Sequence, residues 1–310
     1  MIVTLTANTT IDYNLFVPTF VMNRTMRATR QTYSMAGKPT DASYVLGELG
    51  IPSLALGFAA GANGDRVEAM LRARGVTPDF IRVDGETRLN VVIISEEEGG
   101  HATITTSSLE TSDAHLDALR VRFVQALAGA SCVVLGGTLP RSLPPAFYTE
   151  FIRTARERGV PTIFDADDAN LRAGLEAGPS YVKPNRDELT SLTGQRPTSL
   201  EAVYRAGRQI LERYGTAPII TLGADGALAV LPDRAYHIPP LKVEVVSPAG
   251  AGDAVLAGLA ASIERGQPIE DGLRLGFAAA AAVLLQPGTA DCRRADVERF
   301  LPQIELIPYP

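Results

Sequence analysis

The stretch Ser247-Pro248-Ala249-Gly250-Ala251-Gly252-Asp253 sets two glycines two apart just ahead of a carboxylate, and a run of small residues follows from Ala254 to Ala260. Glycine lets a backbone turn tightly and leaves its N–H groups uncovered. A helix that opens at such a turn adds unpaired donors and the positive end of its dipole, so the corner attracts anions, phosphate above all. Asp253 would repel a phosphate held there. The conflict disappears if Asp253 faces an acceptor hydroxyl while the amides of Gly250, Ala251 and Gly252 face a phosphoryl group in transit. Taken alone, the same residues also describe a strand–turn–helix corner with an acid in the first helical turn.

The elements that must hold this corner alternate. A strand is expected over 2–5, and short strands rather than a helix over 13–35, where Thr, Val, Phe and Tyr lack a helical stripe. Ala42, Val45, Leu46 and Leu49 then fall at helical spacing before Gly50. Strand 53–59 and helix 64–74 come next, and strands over 80–83, 87–95 and 102–106 make a second group. From residue 112 the order is helix 114–127, strand 132–136, helix 144–158, strand 162–165, strand 181–183, helix 186–193, helix 200–214, then strands 219–222 and 227–231. A strand-like stretch over 241–246 feeds the glycine corner, and two Ala-rich helices close the pattern. Such alternation predicts an α/β fold, a parallel sheet covered on both faces. The early extra strands do not fit that sheet. They predict one domain over 1–310 with a small β lid built from about 12–35 and 86–106. Ligands of open parallel sheets bind beyond the carboxyl ends of the strands. Asp12, Gly136-Gly137-Thr138, Asp165 to Asp168, Lys183-Pro184-Asn185, Gly223 to Gly226 and Gly250 to Asp253 are all expected there.

Composition narrows the class. Of 310 residues, 45% are hydrophobic and 21% charged, as in ordinary soluble proteins. A net charge of −6 argues against a nucleic-acid surface. The two cysteines, Cys132 and Cys292, match no metal spacing, and His101, His115 and His237 form no cluster, so a zinc site is not expected. No charged segment precedes the strand at 2–5, and the longest apolar run, 275–285, is too short to span a bilayer. A cytoplasmic protein without a membrane or nucleic-acid partner is the expectation. The common phosphate motif is absent, because Pro39 follows Gly37-Lys38. Gly223-Ala224-Asp225-Gly226 lacks the leading glycines of a dinucleotide fingerprint, which disfavours a dehydrogenase.

Five segments in order resemble one family over nearly the whole chain, the PfkB or ribokinase-like carbohydrate kinases. Asn8 to Asp12 is similar to the family's N-terminal sugar-binding segment, and Ala36-Gly37-Lys38 through Leu49-Gly50 to its first signature, G-G-K-G-x-N-x-A up to a Leu-Gly. Lys183-Pro184-Asn185-Arg186-Asp187-Glu188-Leu189 resembles its K-P-N-x-x-E-L segment, Thr221 to Gly226 its nucleotide loop, and Gly250 to Asp253 its second signature. Glu86-Thr87-Arg88-Leu89-Asn90-Val91 is similar to the T-R-x-N-V strand of 1-phosphofructokinases and tagatose-6-phosphate kinases.

The resemblance implies a ribokinase-like three-layer fold and ATP-dependent transfer to a sugar-phosphate hydroxyl, with fructose 1-phosphate or tagatose 6-phosphate first. Asp253 would be the general base, and Gly250, Ala251 and Gly252 would hold the moving group. Asp12, Gly37, Lys38, Asp41, Arg88 and Asn90 would meet the substrate, Arg88 gripping a phosphate with its planar fork. Lys183, Asn185, Thr221, Gly223 and Gly226 would meet the nucleotide. Glu188 and Asn185, at i and i+3, would orient Mg2+ through water; a helix cap with a first-turn acid accounts for the same pair. Asp165, Asp167 and Asp168 read as strand-end loop residues. A homodimer through the lid's edge strands is expected.

The chain departs from the family at Ala36 and Pro39, where glycine is usual, at Asp41, where asparagine is, and at Ser247. An ionised Asp41 would donate no hydrogen bond and would repel a nearby phosphate. These departures favour two alternatives, a kinase for an unphosphorylated sugar or nucleoside, and a sugar-phosphate-binding regulator without turnover.

Overall fold

The computed structural model describes residues 1–106 and 109–310. Along the chain come β1 (Ile2–Thr6), β2 (Thr10–Val17), β3 (Arg30–Ala36), α1 (Lys38–Glu48), β4 (Ser53–Ala59), α2 (Gly61–Ala73) and β5 (Thr77–Arg82). Next are β6 (Arg88–Ser95), β7 (His101–Thr105), α3 (Asp113–Leu127), β8 (Cys132–Gly136), α4 (Phe147–Glu157), β9 (Thr162–Asp165) and α5 (Asp168–Leu175). The remainder carries β10 (Tyr181–Val182), α6 (Arg186–Thr193), α7 (Leu200–Tyr214), β11 (Ala217–Thr221), β12 (Ala227–Val230) and β13 (Ala235–Ile238). It ends with α8 (Ala251–Glu264), α9 (Ile269–Val283), α10 (Arg294–Phe300) and β14 (Ile307–Tyr309).

Strands buried on both faces read as unbroken apolar runs, and β1, β8, β9 and β12 are buried at every position. They belong to a ten-stranded sheet ordered β14-β13-β12-β11-β10-β9-β8-β1-β4-β5. Pairing is parallel from β5 through β11 and antiparallel from β11 to β14. Alternate residues feed two separate cores, as the period of two requires. Val3, Leu5, Val133 and Leu135 pack with α3 and α4, whereas Ile2, Cys132 and Val134 pack with α1, α8 and α9. A helix layer on each face makes three layers.

A second sheet, β3-β2-β6-β7, pairs β2 with β6 in parallel and its two outer strands antiparallel. Ile11 of β2 and Met35 of β3 pack against Val67 and Leu71 of α2, which ties it to the β4–β5 end of the main sheet. Among the described residues no helix is long and apolar enough to cross a membrane.

Several sequence expectations need correction. Residues 241–246 alternate like a strand but join no sheet, because the edge beside β13 is already taken by β14. The segment is tethered instead at its end, where the Val246 N–H donates to the Leu284 carbonyl at 2.8 Å. The strand expected over 80–83 is β5, and it pairs with β4 as the edge of the main sheet rather than joining the second group. Asp12 sits inside β2, not in the loop after β1. Asp165 ends a strand and Asp167 caps α5, a helix of eight residues too short to leave a readable stripe. The strands β13 and β14 and the helix α10 were also not anticipated.

Candidate active site

The register of β2 on β6 sets Thr10 beside Arg88 and Asp12 beside Asn90. Residues two apart share one face of a strand, so these four side chains form a patch. Arg88 Nε donates to Thr10 Oγ1 at 2.9 Å, and Asn90 Nδ2 donates to Asp12 Oδ1 at 2.8 Å. The other oxygen of Asp12 accepts from Thr289 Oγ1 at 2.7 Å. Burial raises the Asp12 carboxyl, against the pull of Thr289, Asn90 and Arg88. Burial also lowers Arg88 from its ordinary value, which leaves it a cation. Among the described residues its terminal nitrogens meet no acceptor.

The patch faces a cavity of about 200 Å³ whose opposite wall is the start of α1. Gly37 caps that helix, and Pro39 stands in its first turn, where a missing N–H costs nothing. The Pro39 departure is therefore compatible with the helix. Asp41 follows, 2% exposed, with its N–H on the Gly37 carbonyl at 2.9 Å. Burial first, then Asp253 and Asp12, hold the Asp41 carboxyl well above the usual carboxylate range.

The third wall is the opening of α8. Gly250 has φ +81°, and a Cβ there would fall 2.2 Å from the Ala290 nitrogen, so only glycine fits. Ser247 Oγ accepts from the Ala249 N–H at 3.3 Å, a side-chain turn that makes serine serviceable at this position. The N–H groups of Gly250 and Gly252 have no protein acceptor among the described residues. Beneath them lies Lys183, whose Nζ would be 3.1 Å from a Cβ on Gly252. An open pair of amides over a buried ammonium is a receptor for an anion. Burial, then Asp165, push the neighbouring Asp253 carboxyl up to about 7, against Lys183, Lys38 and a hydrogen bond with Asp41.

The cationic side chains are held in a network. Lys38 Nζ contacts Asp165 Oδ1 at 2.8 Å, Asp167 Oδ1 at 2.5 Å and Glu188 Oε1 at 3.1 Å, and Lys183 Nζ lies 2.7 Å from Asp165 Oδ2. Burial alone would lower Lys38, but Asp165, Glu188 and Asp167 outweigh it and raise its value. Asp165 is lowered despite its burial, by Lys183 and then Lys38. Burial, then Asp165, raise Glu188.

At the start of α6, Asn185 Oδ1 accepts from the Asp187 and Glu188 N–H groups, and Glu188 Oε2 accepts from the Asn185 N–H, all at 2.8 Å. This is a complete capping box. It gives the only oxygen of the Asn185 side chain two N–H donors, whereas each Glu188 oxygen has one partner and the group carries a charge, so Glu188 is the better candidate of the two for a cation. The Thr221 N–H donates to the Pro184 carbonyl at 3.0 Å, which brings the Gly223–Asp225 turn and Gly226 beside Asn185.

Seven of the residues given a substrate or catalytic role thus line one cavity, Asp12, Gly37, Lys38, Asp41, Arg88, Asn90 and Asp253, together with Asn8, Ala36, Gly137, Thr138 and Asp167 from the segments noted beside them. Gly250, the cap of α8, and Ala251 and Gly252, its first two residues, adjoin Asp253 in the chain but are not among the residues lining that cavity. Lys183, Asn185, Thr221, Gly223 and Gly226 gather outside it, at the adjoining ends of β10 and β11. Thr6 and Thr289 were missed. No local pattern marks Thr289, because its partner Asp12 is 277 residues away. Among the described residues no three His, Cys, Asp or Glu side chains converge as a metal cage. Glu188 and its acidic neighbours already surround an ammonium, a charge environment that suits a hard cation with other ligands of its own.

The pattern of the pfkB family carbohydrate kinases matches residues 3–296. The 1-phosphofructokinase of Borreliella burgdorferi is 33% identical, covering 99% of this chain and 98% of that protein. The tagatose-6-phosphate kinase of Staphylococcus epidermidis is 26% identical, covering 99% of each. Phosphofructokinase-2 from Escherichia coli, solved in complex with substrates and products, superposes with a TM-score of 0.91 at 25% identity, over 97% of this chain and 98% of that one. The three-layer architecture is the ribokinase-like α/β fold.

Proposed function

The chain belongs to the pfkB family of carbohydrate kinases, and from that premise we propose that it transfers the γ-phosphoryl group of ATP to a hydroxyl of a sugar phosphate, with fructose 1-phosphate or tagatose 6-phosphate as first candidates. One observation carries this reading. The side-chain oxygens Asn8 Oδ1, Asn90 Oδ1 and Asp41 Oδ1 are buried without partners among the described residues, and all three residues line the cavity that holds Asp253. Buried acceptors are normally paired, and a polyol brings the hydroxyl donors that would pair them. The terminal nitrogens of Arg88 face the same space and would take the substrate's phosphate in a bidentate grip.

In the proposed step Asp253 accepts the proton of the attacking hydroxyl as its oxygen bonds to the γ-phosphorus, and ADP leaves. The amides of Gly250 and Gly252, with Ala251 between them and Lys183 below, meet the charge on the moving group; positioning and charge are most of what phosphoryl transfer requires. Asn185, Thr221, Gly223 and Gly226 would hold the nucleotide, and Glu188, with Asn185 beside it, would hold magnesium through water. The ion's chemistry there is to neutralise phosphate oxygens. The second sheet acts as a lid over the sugar, in a single domain spanning 1–310.

Asp41 favours one second reading, an unphosphorylated sugar or nucleoside, because four carboxyls, those of Asp12, Asp41, Asp167 and Asp253, border the cavity. A panel of fructose 1-phosphate, fructose 6-phosphate, tagatose 6-phosphate, fructose, ribose and adenosine, scored by ADP release from Mg·ATP, separates the two. Turnover on phosphosugars is expected. Turnover on fructose, ribose or adenosine alone would remove the Arg88 assignment, and tight phosphosugar binding without turnover would indicate a regulator.

The outer edge of the lid is β7, exposed along its whole length, with Ile104 57% and Tyr33 43% exposed on the same sheet. An open edge with apolar residues suits a second copy of this chain. Light scattering is expected to give the mass of two chains, and a single-chain mass at assay concentration would overturn that pairing. Two buried free thiols, Cys132 and Cys292, suit the reducing cytoplasm proposed as its compartment.

A further inference from the structure

Asp41 has no part in the transfer step, yet it is buried in the wall of the same cavity as Asp253, which performs it. Its carboxyl lies within hydrogen-bond reach of Asp253, and Asp12 stands on the same cavity wall. The cations nearby are engaged elsewhere. Lys38, from the same helix, is held by Asp165, Asp167 and Glu188; Lys183, after β10, is held by Asp165. Arg88, from β6, donates through Nε to Thr10. Asp12 has its own two donors, Asn90 and Thr289. Among the described residues neither Asp41 nor Asp253 has an ion-pair partner. Two adjoining buried carboxyls with no ion-pair partner of their own do not both ionise, because the second charge would face the first with no water to screen it. One proton stays with the pair.

We propose that Asp41 works as a neutral carboxylic acid whose O–H donates to the Asp253 carboxylate, so that the pair carries a single charge, and that loss of this proton sets the alkaline limit of the enzyme. The direction of the hydrogen bond follows from the surroundings. Asp253 follows Gly252, beneath which Lys183 Nζ lies, and Lys183 and Lys38 favour its charge against the nearby Asp165, whereas Asp41 has only Asp253 and Asp12 beside it, both of which disfavour one. An asparagine in this place would donate through an N–H that never titrates. Aspartate keeps the shape and the donor but makes the donor removable. Asp41 is on this reading a positioning residue. It orients the Asp253 carboxylate, lowers its tendency to hold a proton of its own, and keeps a second negative charge away from the substrate. When the pH rises enough to remove its proton, two anions face each other and the phosphoryl acceptor meets a doubly charged wall.

The inference rests on the reading of Asp253 as base, but its first test needs no turnover. Infrared spectra of the whole protein near pH 7 are expected to contain a protonated carboxylic acid carbonyl band that Asp41→Asn removes. Melting supplies a second measure with a definite sign. A carboxyl raised in the folded state binds its proton there and not in the unfolded chain between its two values, so it lowers stability as pH rises through that window. Asp41→Asn should therefore melt above the parent by a margin that widens with pH. With the preferred acceptor, the alkaline limb of kcat/KM should move up by about one pH unit or more in Asp41→Asn. The absence of the band in the parent protein would overturn the proposal, as would an alkaline limb identical in parent and variant. A band that disappears in Asp41→Asn of a protein inactive on every acceptor would uphold the shared proton and defeat the kinase reading instead.

Discussion

Asp253→Asn lowers kcat by roughly a hundredfold or more, the scale of a positioned general base, while the KM for the acceptor changes little. The amide fills the same volume at the start of α8 and still meets Asp41, so the opening turn and the cavity keep their shape. What disappears is the ability to take a proton. Because burial and Asp165 push the Asp253 carboxyl up to about 7, the parent enzyme should also lose activity as the pH falls through that value. The sign is that of a base, active when deprotonated. Asp253→Asn should lack this acid limb, leaving a low and nearly flat profile. ADP release measured across pH for both proteins is the check. An acid limb that persists in Asp253→Asn would assign it to another group, and the buried Glu188 would be the next to test.

The catalytic corner was legible because its requirements are local. Gly250 must adopt a positive φ against the Ala290 backbone, Gly252 must leave room for Lys183, and Asp253 must open the helix, all within four residues. The patch of Asp12, Arg88 and Asn90 was half legible. Alternation marks 88 and 90 as one face of a strand, but only the register of β2 on β6 brings Asp12 beside Asn90. Thr289 lay beyond reach, since no period connects it to Asp12. The segment 241–246 misled for the opposite reason. Its alternation is real, but a strand needs a free edge, and whether β14 occupies that edge is decided at the far end of the chain. Asp165 and Asp167 read as strand-end loop residues because sequence carries no sign of Lys38 folding over them. Local backbone demands are written in neighbouring residues; charge networks between distant elements are not.

The same patch supports the second large prediction. Arg88→Ala should raise the KM for a phosphosugar by about tenfold to a hundredfold, the range expected when a charge-assisted hydrogen-bonded contact worth about 1.5–3 kcal/mol is removed. The kcat at saturation should change far less, because Arg88 is held by Thr10 on the second sheet and not by the corner where the bond forms. Two comparisons separate phosphate binding from mere support of the sheet. Loss of Nε also frees Thr10; if Arg88→Ala acts by loosening the second sheet, the rise should be equal for fructose and for its phosphates. If the fork grips phosphate, the penalty belongs to phosphosugars alone. Arg88→Lys sharpens the distinction, since it restores a charge without the planar pair of donors. A KM for the phosphosugar between those of the parent and Arg88→Ala would indicate that the fork as well as the charge is used. Full recovery with lysine would reduce Arg88 to a point charge, and an unchanged KM in Arg88→Ala would move the phosphate to another part of the cavity.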